Sequence, residues 1–459
     1  MLDKKFDLVI VGKSYLSIML AVKMMRRNLK VLLLDDERVD IGSLYSDFFG
    51  PIESTFISSW GEDNHLTSLS NVKKYLTARP YSIVVGQTRV KLGHRPSQNL
   101  IELYRKLSPY IPIGHEAFFE LIGDEAKRES FDSECEKLFQ RIGKSSYFFK
   151  SLQGLSLDSF LSMSPKGVIS IYEAFSQVIK KEQFENKSSK WFFQSFLMAA
   201  RGIFHKKIDC NLSEIEMFHL LLSLLQPSYE LDSKSLMEDL VLEFEKVGGI
   251  YKSCQLREWK FHKKKPWAIE LSSYEGIVHP DKVVFIGGSL DEMPIIFPNK
   301  DECLRDVVID WKIDGLDSHL TGERFFFTDV NKVGTDVPLW FADFHQDHIH
   351  FKVFTLYEKG SKLSFVKDYL RETLKKDLKN LISNVDELFI EENISYGKEL
   401  WPSPYKKSTW FPKKVSIFDH SRPGFNDKLN GVHYFGPYRE TPLGLLSSMM
   451  DINEMHQFI

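Results

Sequence analysis

Residues 7–12 read D-L-V-I-V-G, a short apolar run without alternation that stops at a glycine. Such a run predicts a strand buried on both faces. Residues 15–27, Y-L-S-I-M-L-A-V-K-M-M-R-R, are good helix formers with basic residues in the last turn. Asn28 follows, a residue that tolerates the left-handed conformation at a helix end. A second apolar run, Val31 to Leu34, ends at Asp35 and Asp36. Strand, tight turn, helix, turn and strand predict a βαβ unit.

The pattern becomes readable again near the middle of the chain. Residues 235–250 place apolar side chains at helical spacing, with a stop at Gly248 and Gly249. Short strands are expected over Leu256–Phe261 and Ala268–Ser272, and D-K-V-V-F-I-G-G at 281–288 reads as a buried strand ending in glycines. Between about 60 and 230 the spacing is largely helical, including 131–161 and 191–225. Further on, strands are expected over 324–328, 337–344 and 350–356, and a helix over 364–388. The Pro- and aromatic-rich segment 403–412 predicts a connection between lobes.

A chain of 459 residues corresponds to two or three domains. Apolar residues make up 43% and net charge is −3, so a core can form and no basic field draws the whole molecule to nucleic acid. Cys135, Cys210, Cys254 and Cys303 are scattered, with no CxxC pair, which points to neither a zinc site nor a disulfide framework. There is no signal-peptide core and no apolar run long enough to span a membrane. The expected location is the cytoplasm.

The βαβ unit carries the candidate chemistry. Amides at such a helix start receive a pyrophosphate, and an acid closing the second strand binds a ribose hydroxyl. Asp35 stands at the expected distance beyond Gly12. The turn reads G-K-S-Y-L-S, so Ser14 and Ser17 replace the second and third glycines of GxGxxG. A hydroxymethyl group at Ser14 either obstructs a phosphate or donates a hydrogen bond to it. Lys13 either offsets phosphate charge or is solvated.

In order and spacing these segments resemble the flavin-dependent amine oxidase and phytoene desaturase superfamily. Asp281, Val283 and Val284 match its acid–x–V–V return strand. The C-terminal G-V-H-Y-F-G-P-Y-R-E-T-P-L-G-L-L-S-S-M-M-D matches its flavin-capping motif, with Gly436 and Gly444 at the family's glycines. The family's Gly-Gly after the first acid is Gly42 followed by Ser43, and P-S-Y-E-L-D-S before the 235–245 helix contains no glycine.

The resemblance implies a two-lobed α/β fold, with an FAD-type Rossmann domain at 1–60, 230–290 and 415–459. A second, α+β substrate domain would occupy 61–229 and 291–414. It implies FAD as cofactor, held by Gly12, Lys13, Ser14, Ser17, Asp35, Gly42, Gly436 and Gly444, and an amine or largely apolar substrate lined by Tyr434 and Tyr438. Rab GDP-dissociation inhibitors keep this fold without FAD. The competing expectation is therefore a cofactor-free protein that binds a protein or lipid partner. No hydrolytic motif is present, and no catalytic acid or base can be named.

Other features read as structural. His345, His348 and His350 suit a solvated strand better than a metal site, and none is assigned to a metal. Trp191, Phe192, Phe193 and Phe196 read as core packing. The basic run 262–265 reads as a solvated hairpin turn.

Overall fold

The computed structural model describes residues 4–35 except 13, 49–147 except 86–87, 110 and 112, 157–180, 214–286 except 264 and 273–275, 302–328 except 317–318, 339–358, 363–402, 424–425, 431–435 and 452. Two large sheets organise the chain.

The first sheet begins with β1 (Lys4–Val11), helix α1 (Tyr15–Met25) and β2 (Val31–Asp35), the expected βαβ unit. Asn28 has the left-handed φ of 63° anticipated at the helix end. Helix α1 is apolar all round and accordingly buried on nearly every side, from Tyr15 through Val22. Small strands β3 (Leu76–Ala78) and β6 (Tyr229–Leu231) pair with each other elsewhere. The helix Ser233–Lys246, capped by the Asp232 carboxylate, leads into β7 (Ile250–Ser253), which lies parallel to β2. A hairpin, β8 (Leu256–His262) and β9 (Lys265–Leu271), precedes the return strand β10 (Ile277–Ile286). β10 runs parallel to β1 on its other side, and β17 (Val432–Phe435) runs parallel to β10, with β16 (Gly424–Phe425) at the edge. The order is β16-β17-β10-β1-β2-β7.

Continuous apolar runs let these strands bury both faces. Leu8, Ile10, Val31, Leu33, Val284 and Ile286 face α1 and the helix Ser233–Lys246. Phe6, Val9, Val11, Leu32, Leu34, Val283 and Phe285 face the β8–β9 hairpin. Each such side chain contributes about 1.5–3 kcal/mol on full burial.

The second sheet has seven strands in the order β15-β11-β14-β13-β12-β4-β5. They are β4 (Tyr81–Val85), β5 (Thr88–Leu92), β11 (Glu302–Ile313), β12 (Arg324–Thr328), β13 (Leu339–Phe344), β14 (His348–Glu358) and β15 (Phe389–Pro402). All neighbours are antiparallel except β12 and β4. One face is covered by the helix Leu363–Leu378, whose Leu370, Leu374 and Leu378 pack on Trp311, Phe325, Trp340 and Phe351. At the β4–β12 end, the opposite face contributes Tyr81, Ile83, Phe326 and Phe341 to the same cluster that encloses α1. The molecule is therefore a two-lobed α/β fold with a Rossmann-type sheet in one lobe and a mixed sheet in the other.

The structure corrects several sequence expectations. The block read as helical contains the β4–β5 hairpin, which supplies one edge of the second sheet. The helix expected over 364–388 ends at Leu378, and a short turn of helix follows at Val385–Leu388. Residues 191–213 and 403–412 lie outside the described residues. Among those described, no helix is long and apolar enough to cross a membrane.

Candidate functional site

β1, β2, β7, β10 and β17 are mutually parallel, so their carboxyl ends lie along one edge of the first sheet. β1 connects onward through α1 to β2 on one side, and its other neighbour, β10, arrives from far along the chain. Open α/β sheets bind ligands outside the strand ends at such a switch point.

Gly12 closes β1 with φ +133°, and its N–H donates to the Leu34 carbonyl at 3.0 Å. A Cβ at this position would lie 2.2 Å from the Ile286 carbonyl oxygen. Three strand ends thus meet at a residue that has room only for hydrogen. Ser14 follows as the N-cap of α1 in extended geometry. Its Oγ accepts from the Ser17 N–H at 3.1 Å and lies 3.0 Å from the Ser17 Oγ. Both serines are buried. The two replacements for glycine therefore bind each other, and the third amide of the helix is already capped. Tyr15, in the first turn of α1, is buried, and its hydroxyl has no hydrogen-bond partner among the described residues. Burial raises its pKa, so it stays a neutral donor.

Asp35 closes β2 and is 2% exposed. Its carbonyl accepts from the Cys254 N–H at 3.0 Å. Its carboxylate accepts a short hydrogen bond from the Tyr251 hydroxyl on β7. Burial and then the Asp35 charge push the Tyr251 pKa up, which keeps it protonated in this bond. Sequence reasoning missed Tyr251 because the four-residue β7 was not recognised after the Gly-Gly stop. Its signal was the I-Y-K-S run there.

The remaining sequence-predicted positions divide. Lys13, Gly42, Gly436, Gly444 and Tyr438 lie outside the described residues. Tyr434 is placed by its backbone on β17, opposite Phe285. Its neighbour His433 is buried, and its pKa falls to about 4 through burial and then the nearby Lys282 charge. The structure thus brings Gly12, Ser14, Ser17 and Asp35 to one edge of the sheet, with Tyr15, Tyr251 and His433 as additions.

The histidine cluster departs from its expected form. Residues 345–347 turn the chain between β13 and β14 instead of continuing a strand. The His345 N–H donates to the His348 carbonyl at 2.9 Å, and their rings stack 4.2 Å apart. His348 and His350 both lie on β14 and share a face as expected, and the His350 Nδ1 is 2.6 Å from the Asp310 carboxylate. Among the described residues, no group of three His, Cys, Asp or Glu side chains is arranged to hold a metal.

No family model matches the chain, and no curated protein matches it. Solved structures similar to it include RAB GDI from Plasmodium falciparum, at 10% identity over 99% of this chain and 98% of that one, TM-score 0.47. An oxidoreductase from Methanosarcina mazei has 9% identity over 99% and 100%, TM-score 0.45. A p-nitrophenol 4-monooxygenase from Pseudomonas putida has 10% identity over 99% and 79%, TM-score 0.42. These values are too low to assign an activity or cofactor to the chain.

Proposed function

We propose that the protein is an FAD-dependent oxidoreductase acting on an amine or largely apolar substrate. The observation that carries this reading is the convergence at Gly12: parallel strand ends, the start of α1 and the Asp35 carboxylate all lie along one edge. The described residues suit the adenosine and pyrophosphate half of the cofactor. Gly12 removes the side chain from the point of closest approach. The first amides of α1 present positive partial charge. Asp35, although bonded to Tyr251, is a carboxylate with further acceptor capacity for ribose hydroxyls. The unpartnered Tyr15 hydroxyl is a buried donor whose desolvation a polar ligand would offset.

When bound, FAD supplies the redox chemistry. Lys13 and Gly42 belong to the same half of the cofactor in this reading, and Gly436 and Gly444 to the flavin half, with Tyr434 and Tyr438 toward the substrate. Residues 1–60, 230–290 and 415–459 make up the cofactor domain, and 61–229 and 291–414 the substrate domain.

A cofactor-free binding protein is the second reading, favoured by one observation: the Ser14 hydroxyl already caps the Ser17 amide that a phosphate would otherwise receive. The visible absorption spectrum of the purified protein separates the two. A stoichiometric flavin band, released on heating, supports the flavoprotein. A colourless protein that takes up no added FAD overturns it. If the serines merely block an old site, the Ser14→Gly, Ser17→Gly double variant gains FAD binding that the wild type lacks.

A further inference from the structure

The tip of the β8–β9 hairpin has an unusual composition. Residues 259–267 read W-K-F-H-K-K-K-P-W, with three aromatic residues, four lysines and no acid. A basic run flanked by aromatics differs from an ordinary solvated turn, and the structure describes all of these residues but Lys264. β9 pairs with β10 only at Glu270–Ile277 and Ile269–Val278, and β17 occupies that edge of β10 from Val283 onward. The hairpin therefore leaves the ladder of β10 beyond Ile269, and Pro266 beside its turn stays buried near Gly431. Lys263 in the turn has φ 48°, and Lys263 and Lys265 are exposed.

The aromatic side chains are anchored at one end only. Trp259 packs on Phe285 and stacks on Phe261, with centroid distances of 5.3 and 6.4 Å. Phe261 is 37% exposed and Trp267 is 57% exposed, its ring against His279. The acids nearby are already engaged. Glu258 and Glu270 lie 3.6 and 3.7 Å from Lys260, and Asp281 lies 3.5 Å from Lys5. Among the described residues, neither Lys263 nor Lys265 has a carboxylate within ion-pair distance, on a molecule whose net charge is −3.

Exposed Trp and Phe gain free energy at the headgroup–acyl boundary, and lysines beside them are attracted to anionic headgroups. Binding to a membrane surface scales with the apolar area inserted plus the attraction to anionic lipid, so the two contributions add. A single narrow ribbon offers no groove to track several nucleotides, so it suits a planar surface of many small anions better than a nucleic-acid strand. We infer that the β8–β9 hairpin docks the protein peripherally onto anionic lipid. This inference is independent of the flavin reading, because none of these residues belongs to the cofactor site.

Co-sedimentation of the full chain with vesicles tests it. The protein sediments with phosphatidylcholine–phosphatidylserine vesicles in a two-to-one ratio, does not sediment with phosphatidylcholine alone, and is released by salt. Each lysine near the surface contributes roughly fivefold in partitioning, so Lys263→Gln with Lys265→Gln lowers it roughly thirtyfold. Phe261→Ala with Trp267→Ala lowers it by about tenfold, without changing the far-ultraviolet circular dichroism spectrum. Trp267→Phe retains binding but loses part of the tryptophan blue shift on vesicle addition. Equal sedimentation with both vesicle types, sedimentation with neither, or variants that bind like wild type would overturn the inference. So would tight binding of a single-stranded oligonucleotide, read by fluorescence anisotropy, without any vesicle binding.

Discussion

At Gly12 a single methyl group would have to enter the space of the Ile286 carbonyl oxygen, on a backbone whose φ of +133° disfavours any side chain. Neither obstacle can relax cheaply, because Ile286 is fixed in β10 and Gly12 is bonded to β2. Backbone strain of this kind costs about 1–3 kcal/mol before any clash is added. Gly12→Ala is therefore expected to lower unfolding free energy by more than about 3 kcal/mol, read from the urea midpoint.

His433 offers a different test at the same scale. Its pKa of about 4 lies below the ordinary 6.5 because burial and Lys282 disfavour the imidazolium. Below pH 6.5 the unfolded chain takes up a proton that the folded chain refuses. Stability is thus lost as pH falls from about 6.5 to about 4, and this residue costs nothing more below that window. The full loss is roughly 3 kcal/mol. His433→Gln should remove that increment, seen as a smaller difference between urea midpoints at neutral and acid pH than in wild type.

Between elements, the clearest ionic contact joins β12 to β13. Arg324 forms a forked pair with Asp343 at 2.7 and 2.8 Å, with both residues buried, and Arg79 adds a third bond at 2.8 Å. Burial alone would raise the Asp343 pKa, but the two arginines outweigh it and hold the carboxyl below its usual range. Removing one partner leaves a buried charge exposed to its desolvation cost. Arg324→Ala leaves Asp343 with Arg79 as its remaining arginine and should destabilise by up to about 3–5 kcal/mol, whereas breaking the exposed Lys74–Asp239 pair should leave stability nearly unchanged. Double-mutant cycles in urea measure both.

What the sequence revealed at this scale follows from locality. β1, α1 and β2 are adjacent and periodic, so their pattern alone defines them. The β8–β9–β10 segment is legible for the same reason. The β4–β5 hairpin was not, because β4 is completed by parallel pairing with β12 more than two hundred residues later. The His345–His348 reversal has Asp347 but neither glycine nor proline, so its turn signal is weak. At the candidate site, Gly12 and Asp35 announce themselves by spacing. The Ser14–Ser17 bond and the Tyr251–Asp35 bond depend on side-chain direction, which spacing does not determine.

Across the whole molecule, one hydrophobic cluster runs from β1 and α1 to Phe326 and Phe341 of the second sheet. The lobes therefore share a core and should unfold together. If FAD binds only the folded chain, adding it at about 100 times its dissociation constant stabilises by about 2.7 kcal/mol. A thermal transition that stays single and moves upward with FAD concentration is the expected outcome.

The meeting of strand ends at Gly12 also bears on how the chain is made. β1 emerges from the ribosome well before its neighbour β10 and the next strand, β17, which come more than 250 and 400 residues later. At 5–20 residues per second, β1 waits roughly 15–55 s for β10 to cover that edge. During that interval its Leu8–Val11 segment is an open, apolar strand edge on the nascent chain. β1 is thus made long before it is sealed, and the Gly12 site is assembled only once β10 has emerged.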